Sequence, residues 1–523
     1  MIDTAALREK VLDLAIRGKL VPQDPTDEPA SVLLERIHEQ KLQMVREGKL
    51  KAKDVKDDTI IFKGDDNCYY EKFSDGTIKN IQDEIPFELP DTWSWVRLGV
   101  IFSHNTGKAL KTSNTIGKKL TYITTSNLYW NSFVVESLKE MYFTESEIEK
   151  YTICKGDLLV CEGGDIGRAA IWTFDYDMRI QNHIHKLRAY YPIETKLYYY
   201  TFYYYKLIGK ISGNGIGIQG LSSNALHNLI VPLPPIQEQT RITAAVNKCF
   251  LTADIIDENE KILQTDIEEL KFKILELAIQ GKLVPQDEND EPASVLLERI
   301  RAERKAKLGK KYVESYIYKG DDNCYYEKVG STTKNITAEI PFDIPNSWSW
   351  IRLSNITTLI TKGTTPRGDA YAYTNSGIGF LRAENIVGFD KISKKDLKYV
   401  NEATHYNFLK RSILEENDIL ITIAGTLGRT GMVIKEDLPL NANQAVSIVR
   451  VVNGYKIDLL YLIFVLNAPI IKKYLLSKSV EMAIPNLSLE NISDCVIPLP
   501  PFQEQYNITK KINQLFDILK GGD

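Results

Sequence analysis

Residues 236–280 read IQEQTRITAAVNKCFLTADIIDENEKILQTDIEELKFKILELAIQ. They follow Pro232-Leu233-Pro234-Pro235 and stop at Gly281, a prolyl start and a glycyl stop for a helix. About 45 residues pass without a proline or a glycine. Apolar residues recur at three- and four-residue steps: Ile242, Ala245, Val246, then Ile255, Ile256, Ile262, Leu263, Ile267, Leu270, Ile274, Leu277 and Ala278. That spacing predicts a narrow apolar stripe on a helix otherwise covered by Glu, Asp, Lys and Gln. At about 1.5 Å per residue the helix would be roughly 65 Å long. No compact domain covers that length, so the stripe calls for a second long helix. Two shorter helices meeting near Asp254 are the competing reading.

The flanks of this stretch are copied elsewhere. Gly18-Lys19-Leu20-Val21-Pro22-Gln23-Asp24 returns from Gly281 to Asp287, and residues 27–37 return unchanged as residues 290–300. The run from Lys63 to Lys72 returns from Lys319 to Lys328. Glu84-Ile85-Pro86-Phe87 with Trp93-Ser94-Trp95 returns at residues 339–342 and 348–350. Pro232-Leu233-Pro234-Pro235 with Gln237-Glu238-Gln239 returns at residues 498–501 and 503–505. The chain is a tandem duplication of a unit of about 260 residues. The long helix holds both a helix start, copied at residues 502–520, and a helix end, copied at residues 4–17. Two such units predict pseudo-twofold symmetry, with the central helix paired to a split helix made from the two chain ends.

A chain of 523 residues, 43% hydrophobic, has material for several cores. No run of 18 apolar residues or signal peptide is visible, so a cytoplasmic location without membrane contact is expected. The six cysteines form no Cys-x-x-Cys pair, which argues for reduced thiols and against a zinc site. A net charge of −4 speaks weakly against nucleic acid as a partner.

In chain order, a charged helix is expected over residues 29–51 and a hairpin over 59–62 and 68–72. The first large unit predicts strands at 93–98, 120–124, 157–161 and 186–190 and an aromatic helix at 197–211. The second predicts strands at 419–423 and 445–452 and a helix at 459–476. The segments are residues 1–83 (helix end, charged helix, hairpin), 84–235 (first large domain), 236–281 (central helix), 282–338 (repeat of helix and hairpin), 339–501 (second large domain) and 502–523 (C-terminal helix). The helices and hairpins repeat closely, while the domains between them share only short anchors.

A duplicated scaffold carrying two divergent domains suits a protein that reads two different things at a fixed separation. The two Ile-Pro…Trp-Ser-Trp-(Val/Ile)-Arg-Leu starts, the two Pro-Leu-Pro-Pro-x-x-Glu-Gln ends and the two Leu-Ala-Ile-x-Gly-Lys-Leu-Val-Pro-Gln helix ends carry a resemblance. Together with Lys362-Gly363-Thr364-Thr365-Pro366 and residues 380–386, they make the chain resemble the specificity subunit of type I restriction–modification systems. The match spans nearly the whole chain; Thr106-Gly107-Lys108 departs from it by lacking the Thr-Thr-Pro continuation. The resemblance implies an α/β (α+β) fold of two pseudo-twofold related target recognition domains separated by long antiparallel coiled-coil helices. It implies a non-catalytic subunit that reads one half of a bipartite double-stranded DNA site with each domain, the helices fixing the spacer. About 34–36 Å per DNA turn puts half-sites one to two turns apart within reach. Two adenine-N6 methyltransferase (modification) subunits and restriction/translocase subunits would be its partners, with S-adenosylmethionine, ATP and Mg in them and no cofactor here. Methylation would require the partner to flip the target adenine.

The residues agree with a chain that is not an enzyme. Leu499-Pro500-Pro501-Phe502 lacks the polar first residue of an amino-methyltransferase loop, and its copy is Leu233-Pro234-Pro235-Ile236. Residues 215–220 fit Gly-x-Gly-x-x-Gly but follow a helical pattern rather than a strand. Asp157 with Glu162 makes only a faint carboxylate pair. A protein-binding scaffold with two adaptor domains and a self-sufficient DNA methyltransferase are the alternative readings.

Local charge marks the DNA-binding candidates. Residues 104–128 hold Lys108, Lys111, Lys118 and Lys119 and no acid, and residues 355–368 hold Lys362 and Arg367 and no acid. Such loops, with Thr364, suit phosphate contact, whereas Arg, Lys, Asn and Gln read base edges. Matched positions add Arg168 with Arg429, Asn182-His183 with Asn443-Gln444, Thr125 with Ala383, and Thr124 with Arg382. Arg97, Arg352 and the tyrosines of residues 198–205 read as structural.

Overall fold

Proline before Ile236 and glycine at 281 punctuate one uninterrupted helix, Ile236–Ile279, with no break at Asp254. The stretch is therefore not divided into two shorter helices. The computed structural model describes residues 2–110, 115–212, 218–219, 221–366, 373–452, 457–477 and 486–521. The chain divides into two units, Met1–Lys261 and Ile262–Asp523, with the division inside the long helix.

In the first unit, helix Thr4–Ile16 lies antiparallel on the first half of the long helix. The backbone N–H of Ile2 donates to Glu260 at 3.2 Å, the Thr4 hydroxyl to Asp257 at 2.6 Å, and Arg8 to Asp254 at 2.7 Å. Helix Ala30–Arg46 and a three-stranded meander follow. The meander's third strand, Ile78–Asn80, is exposed throughout and so left no alternating pattern to read. Strand Ser94–Arg97 pairs with Ile230–Leu233, bringing the two ends of the recognition domain together. Between them lie two four-stranded sheets. One has the order Ala169–Ile171, Leu158–Cys161, Ile184–Ala189, Phe102–Thr106, all antiparallel. The other contains the parallel pair of Met178–Ile180 with Lys118–Ile123.

The second unit repeats this order with little of the sequence. Strands Thr357–Lys362, Val446–Val451, Ile419–Thr422 and Thr430–Met432 form the first sheet, and Ile378–Leu381 runs parallel to Leu440–Ala442 in the second. The aromatic helix Thr195–Leu207 is continuous, whereas the helix expected at 459–476 is two helices, Leu459–Asn467 and Pro469–Ser477, bent by 68°. Pro469 lacks the N–H a continuous helix would use there. No single helix among the described residues is long and apolar enough to cross a membrane; the apolar side chains of the bent pair are packed in the core.

Scaffold and recognition segments share one core in each unit. Leu12, Ile16, Leu33, Trp93, Tyr198, Tyr204, Tyr205, Ile242 and Val246 belong to one cluster. Leu275, Ile279, Leu297, Trp348, Trp350, Tyr461, Ile508 and Ile512 belong to the other. The tyrosines of residues 198–205 are core, as their spacing implies. Gly18 and Gly281, at φ +68° and +69°, end their helices in the left-handed region. A Cβ on either would lie 2.6 or 2.5 Å from the ring of Pro90 or Pro345, so each helix end seats directly on its domain.

Candidate nucleic-acid interface

Paired charges fix the frame of each unit. Arg97 grips Glu71 with Nε and Nη2 (3.0 and 2.6 Å) and Glu84 with Nη1 (2.8 Å). Arg352 repeats this with Glu327 (3.1 and 2.7 Å) and Glu339 (2.8 Å). These guanidiniums are structural, and Arg352 together with Lys334 draws the Glu339 carboxyl down to about 2 despite burial. Asp157 is held by Arg188 through two bonds (2.7 and 2.6 Å), and Asp418 by Arg450 at 2.8 Å through each oxygen. Asp157 is thus a strand lock rather than half of a nuclease pair.

Backbone bonds then bring three segments to one sheet end. In the first unit Lys108 N–H donates to Ile180 O (2.9 Å), Asn182 N–H to Lys108 O (3.0 Å) and Gln181 N–H to Ile123 O (2.9 Å). In the second, Thr364 N–H donates to Ala442 O (3.0 Å) and Asn443 N–H to Leu381 O (2.9 Å). Gly107 and Gly363 permit the crossing: a Cβ there would sit 2.2 Å from Ile180 O or 2.1 Å from Ala442 O. The same bonds fix which positions correspond. Thr124 with Arg382 and Thr125 with Ala383 match as read. The turn does not: Gln181 corresponds to Asn443, Asn182 to Gln444 and His183 to Ala445, because Ile184 and Val446 occupy the same place in their strands. The pairing of Asn182-His183 with Asn443-Gln444 is therefore off by one residue.

The side chains divide by exposure. Lys362, His183 and Gln444 are exposed, and Asn182, Thr125, Thr364, Asn443 and Arg429 are half-buried. Lys362 pairs with no carboxylate among the described residues. Lys118 and Lys119 are exposed but face Glu145 (2.9 Å) and Glu140 (3.0 Å), surface pairs that cost little to exchange for phosphate. Lys108 requires correction as a phosphate contact. It is 5% exposed, and its Nζ donates to Tyr142 O and Glu147 Oε2, each at 2.6 Å. Its charge is spent inside the unit, holding the helix Glu145–Tyr151 to the loop. Arg168 is likewise engaged, donating to Thr125 O at 2.6 Å and covering the Tyr129 ring at 5.3 Å. Arg382 donates to Asp396 O at 3.0 Å and pairs with Glu384 at 2.6 Å. Lys111 and Arg367 lie outside the described residues, as do Gly215, Gly217 and Gly220.

Sequence reading missed two side chains beside the Gly-Arg turns, Lys206 and Lys472. Each sits in a helix rich in apolar or aromatic residues that carries a second lysine, Lys196 or Lys473, so the sequence held no signal that singled it out. It also missed a histidine trio. His104 lies 6.4 Å from His185 and 5.7 Å from His227, ring centre to ring centre. Burial, then its two neighbours, pull His104 down to about 4. Among the described residues no group of His, Cys, Asp and Glu is arranged to hold a metal.

Comparison with known proteins places these features. The family model for the type I restriction modification DNA specificity domain matches residues 90–265 and 345–522. The specificity subunit of the Escherichia coli type I restriction enzyme EcoAI is 27% identical over 97% of this chain and 88% of its own length. That of EcoEI, also from Escherichia coli, is 26% identical over 98% and 89%. A solved chain from work on assembly and conformational transition of the type I R-M system superposes with a TM-score of 0.52. It is 18% identical, over 83% of this chain and 93% of that one, a likeness of fold.

Proposed function

This chain belongs to the type I restriction–modification DNA specificity family, with two copies of the domain in tandem, and from that membership we propose how it works. It is the subunit that reads DNA for a complex whose other subunits modify and cut. Each unit reads one half of a bipartite duplex site, and the long helix fixes the spacer between the halves. The observation that carries this is the contrast between frame and tips. Both units have the same strand order in their first sheet and the same Arg–Glu–Glu lock, while the sheet end presents Gln181, Asn182 and His183 in one and Asn443, Gln444 and Ala445 in the other. One frame with two sets of base-edge groups supports two unlike half-sites.

The long helix supports a docking role as well. Leu251 and Ile255 in the first unit, and Ile262, Leu263, Leu270 and Phe272 in the second, are 41–62% exposed. A stripe of that kind favours coverage by another chain. The methyltransferase subunits are the occupants we assign, with S-adenosylmethionine in them and ATP and Mg in the restriction subunits. Methylome sequencing of cells carrying this chain with its modification subunit tests the reading. The expected result is one adenine-methylated motif of two unlike halves around a fixed unspecified spacer. A continuous motif, or no new methylation, would overturn it.

A further inference from the structure

The same turn in the two units carries different carboxylates. Residues 162–168 read Glu-Gly-Gly-Asp-Ile-Gly-Arg and residues 423–429 read Ile-Ala-Gly-Thr-Leu-Gly-Arg. The backbones agree. Gly164 and Gly167 have φ of +72° and +81°, Gly425 and Gly428 +78° and +71°. Gly167 N–H donates to Cys161 O at 3.0 Å and Gly428 N–H to Thr422 O at 2.9 Å. In the first unit the turn neutralises its own cations: Asp165 takes Lys206 Nζ at 2.9 Å and stands 3.9 Å from Arg168 Nη1.

In the second unit the position of Asp165 is held by Thr426, which is exposed. Arg429 keeps its place, and Lys472 comes in from helix Pro469–Ser477, its Cε 3.4 Å from where a Cβ on Gly428 would be. Among the described residues neither cation pairs with a carboxylate. Both are half-buried, and the two lie near enough that Arg429 adds to burial in pushing the Lys472 ammonium down. Two like charges held together away from bulk water are unfavourable until an anion joins them. The turn also borders the reading end of the sheet, since Ile423 N–H donates to Ala445 O at 2.8 Å.

We propose that Arg429 and Lys472 form an oxyanion site that receives one phosphate of the DNA backbone, and that Asp165 has closed the corresponding site in the first unit. Arginine offers a fork to two phosphate oxygens and lysine a point charge, the pairing such a ligand takes. The proposal rests on the reading that the chain binds duplex DNA, and it makes the two units unequal in phosphate contact.

The test uses the full chain and a random-sequence duplex, with affinity followed by fluorescence anisotropy across a potassium chloride series. Thr426→Asp should supply the missing carboxylate. Each phosphate contact contributes a slope of about 0.9 in log K against log salt, so this variant should bind roughly five- to tenfold more weakly near 0.1 M salt with a slope shallower by about one. Lys472→Gln should act in the same direction. Asp165→Thr should leave Arg168 and Lys206 without their carboxylate and give a steeper slope. Unchanged slope and affinity in Thr426→Asp, with wild-type thermal melting, would overturn the proposal. So would a Tm rise by inorganic phosphate that Thr426→Asp abolishes without altering DNA binding, which would mark a small-anion site. A wild-type chain whose binding shows no salt slope would refute the DNA reading itself, a distinct result.

Discussion

Trp93 donates its indole N–H to Glu238 Oε2 at 2.9 Å, joining the start of a recognition domain to the first turn of the helix that leaves it. The other oxygen of Glu238 accepts Gln23 Nε2 at 2.5 Å, so one buried carboxylate ties three segments of the unit. Trp348, Glu504 and Gln286 repeat the arrangement, with the indole bond at 2.8 Å. This explains why Trp, Glu and Gln recur together in the copied motifs while most residues between them diverged.

Glu238→Ala should therefore destabilise its unit by about 2–4 kcal/mol, since it orphans two donors, and Glu504→Ala should do the same in the other unit. Denaturant unfolding with hydrogen exchange to localise the loss checks this. Burial holds the Glu238 carboxyl above its usual range. A raised acid contributes stability below its unfolded pKa, near 4.5, that is lost as pH rises through the folded value. The penalty of Glu238→Ala should consequently be larger near pH 4.5 than at pH 7.

Lys108→Ala should weaken folding rather than DNA binding. The change removes a buried cation from Glu147 and Tyr142 O, at a cost of about 1–3 kcal/mol. Its salt slope on duplex DNA should match wild type, whereas Lys362→Ala should lose about one phosphate contact with little loss of stability. Equal effects of the two on salt slope would contradict the placement of Lys108 inside the unit.

The contrast shows what was legible. The long helix could be read because proline, glycine and apolar spacing are local signals. The duplication was legible from repeated anchors. The common sheet topology was not, because strands buried on both faces, such as Leu158–Cys161 and Ile419–Thr422, need mainly be apolar and share only a leucine, Leu159 with Leu420. Lys108 read as a loop cation because burial depends on Glu147, 39 residues away. The one-residue error at Asn182 came from aligning letters where strand register decides.

The histidine trio predicts unequal acid stability. His104, held down to about 4, contributes stability that is complete above its unfolded pKa near 6.5 and lost as pH falls toward the folded value. Strand register places Ile360 and Ser447 where the first unit has His104 and His185. The first unit should lose Tm between pH 7 and 5 while the second holds. His104→Ile should flatten that dependence; a uniform decline in both units, unchanged by the substitution, would exclude the trio as its source.

The spacer role of the long helix can be tested by an insertion of four residues after Asn259. Asn259 is exposed and follows Asp257, so the contacts of Thr4 and Arg8 with Asp254 and Asp257 stay in place. Four residues add about one turn, or roughly 6 Å, and keep the apolar stripe nearly in phase as a local stutter. Neither sheet end is touched, so the base-edge groups keep their geometry. The methylated motif should retain both halves while its spacer lengthens by about one or two base pairs, the rise per pair being about 3.4 Å. A methylome of the insertion variant reads this directly. An unchanged spacer would place the control of separation outside the helix, and altered half-site bases would show that the helix also shapes the reading surfaces.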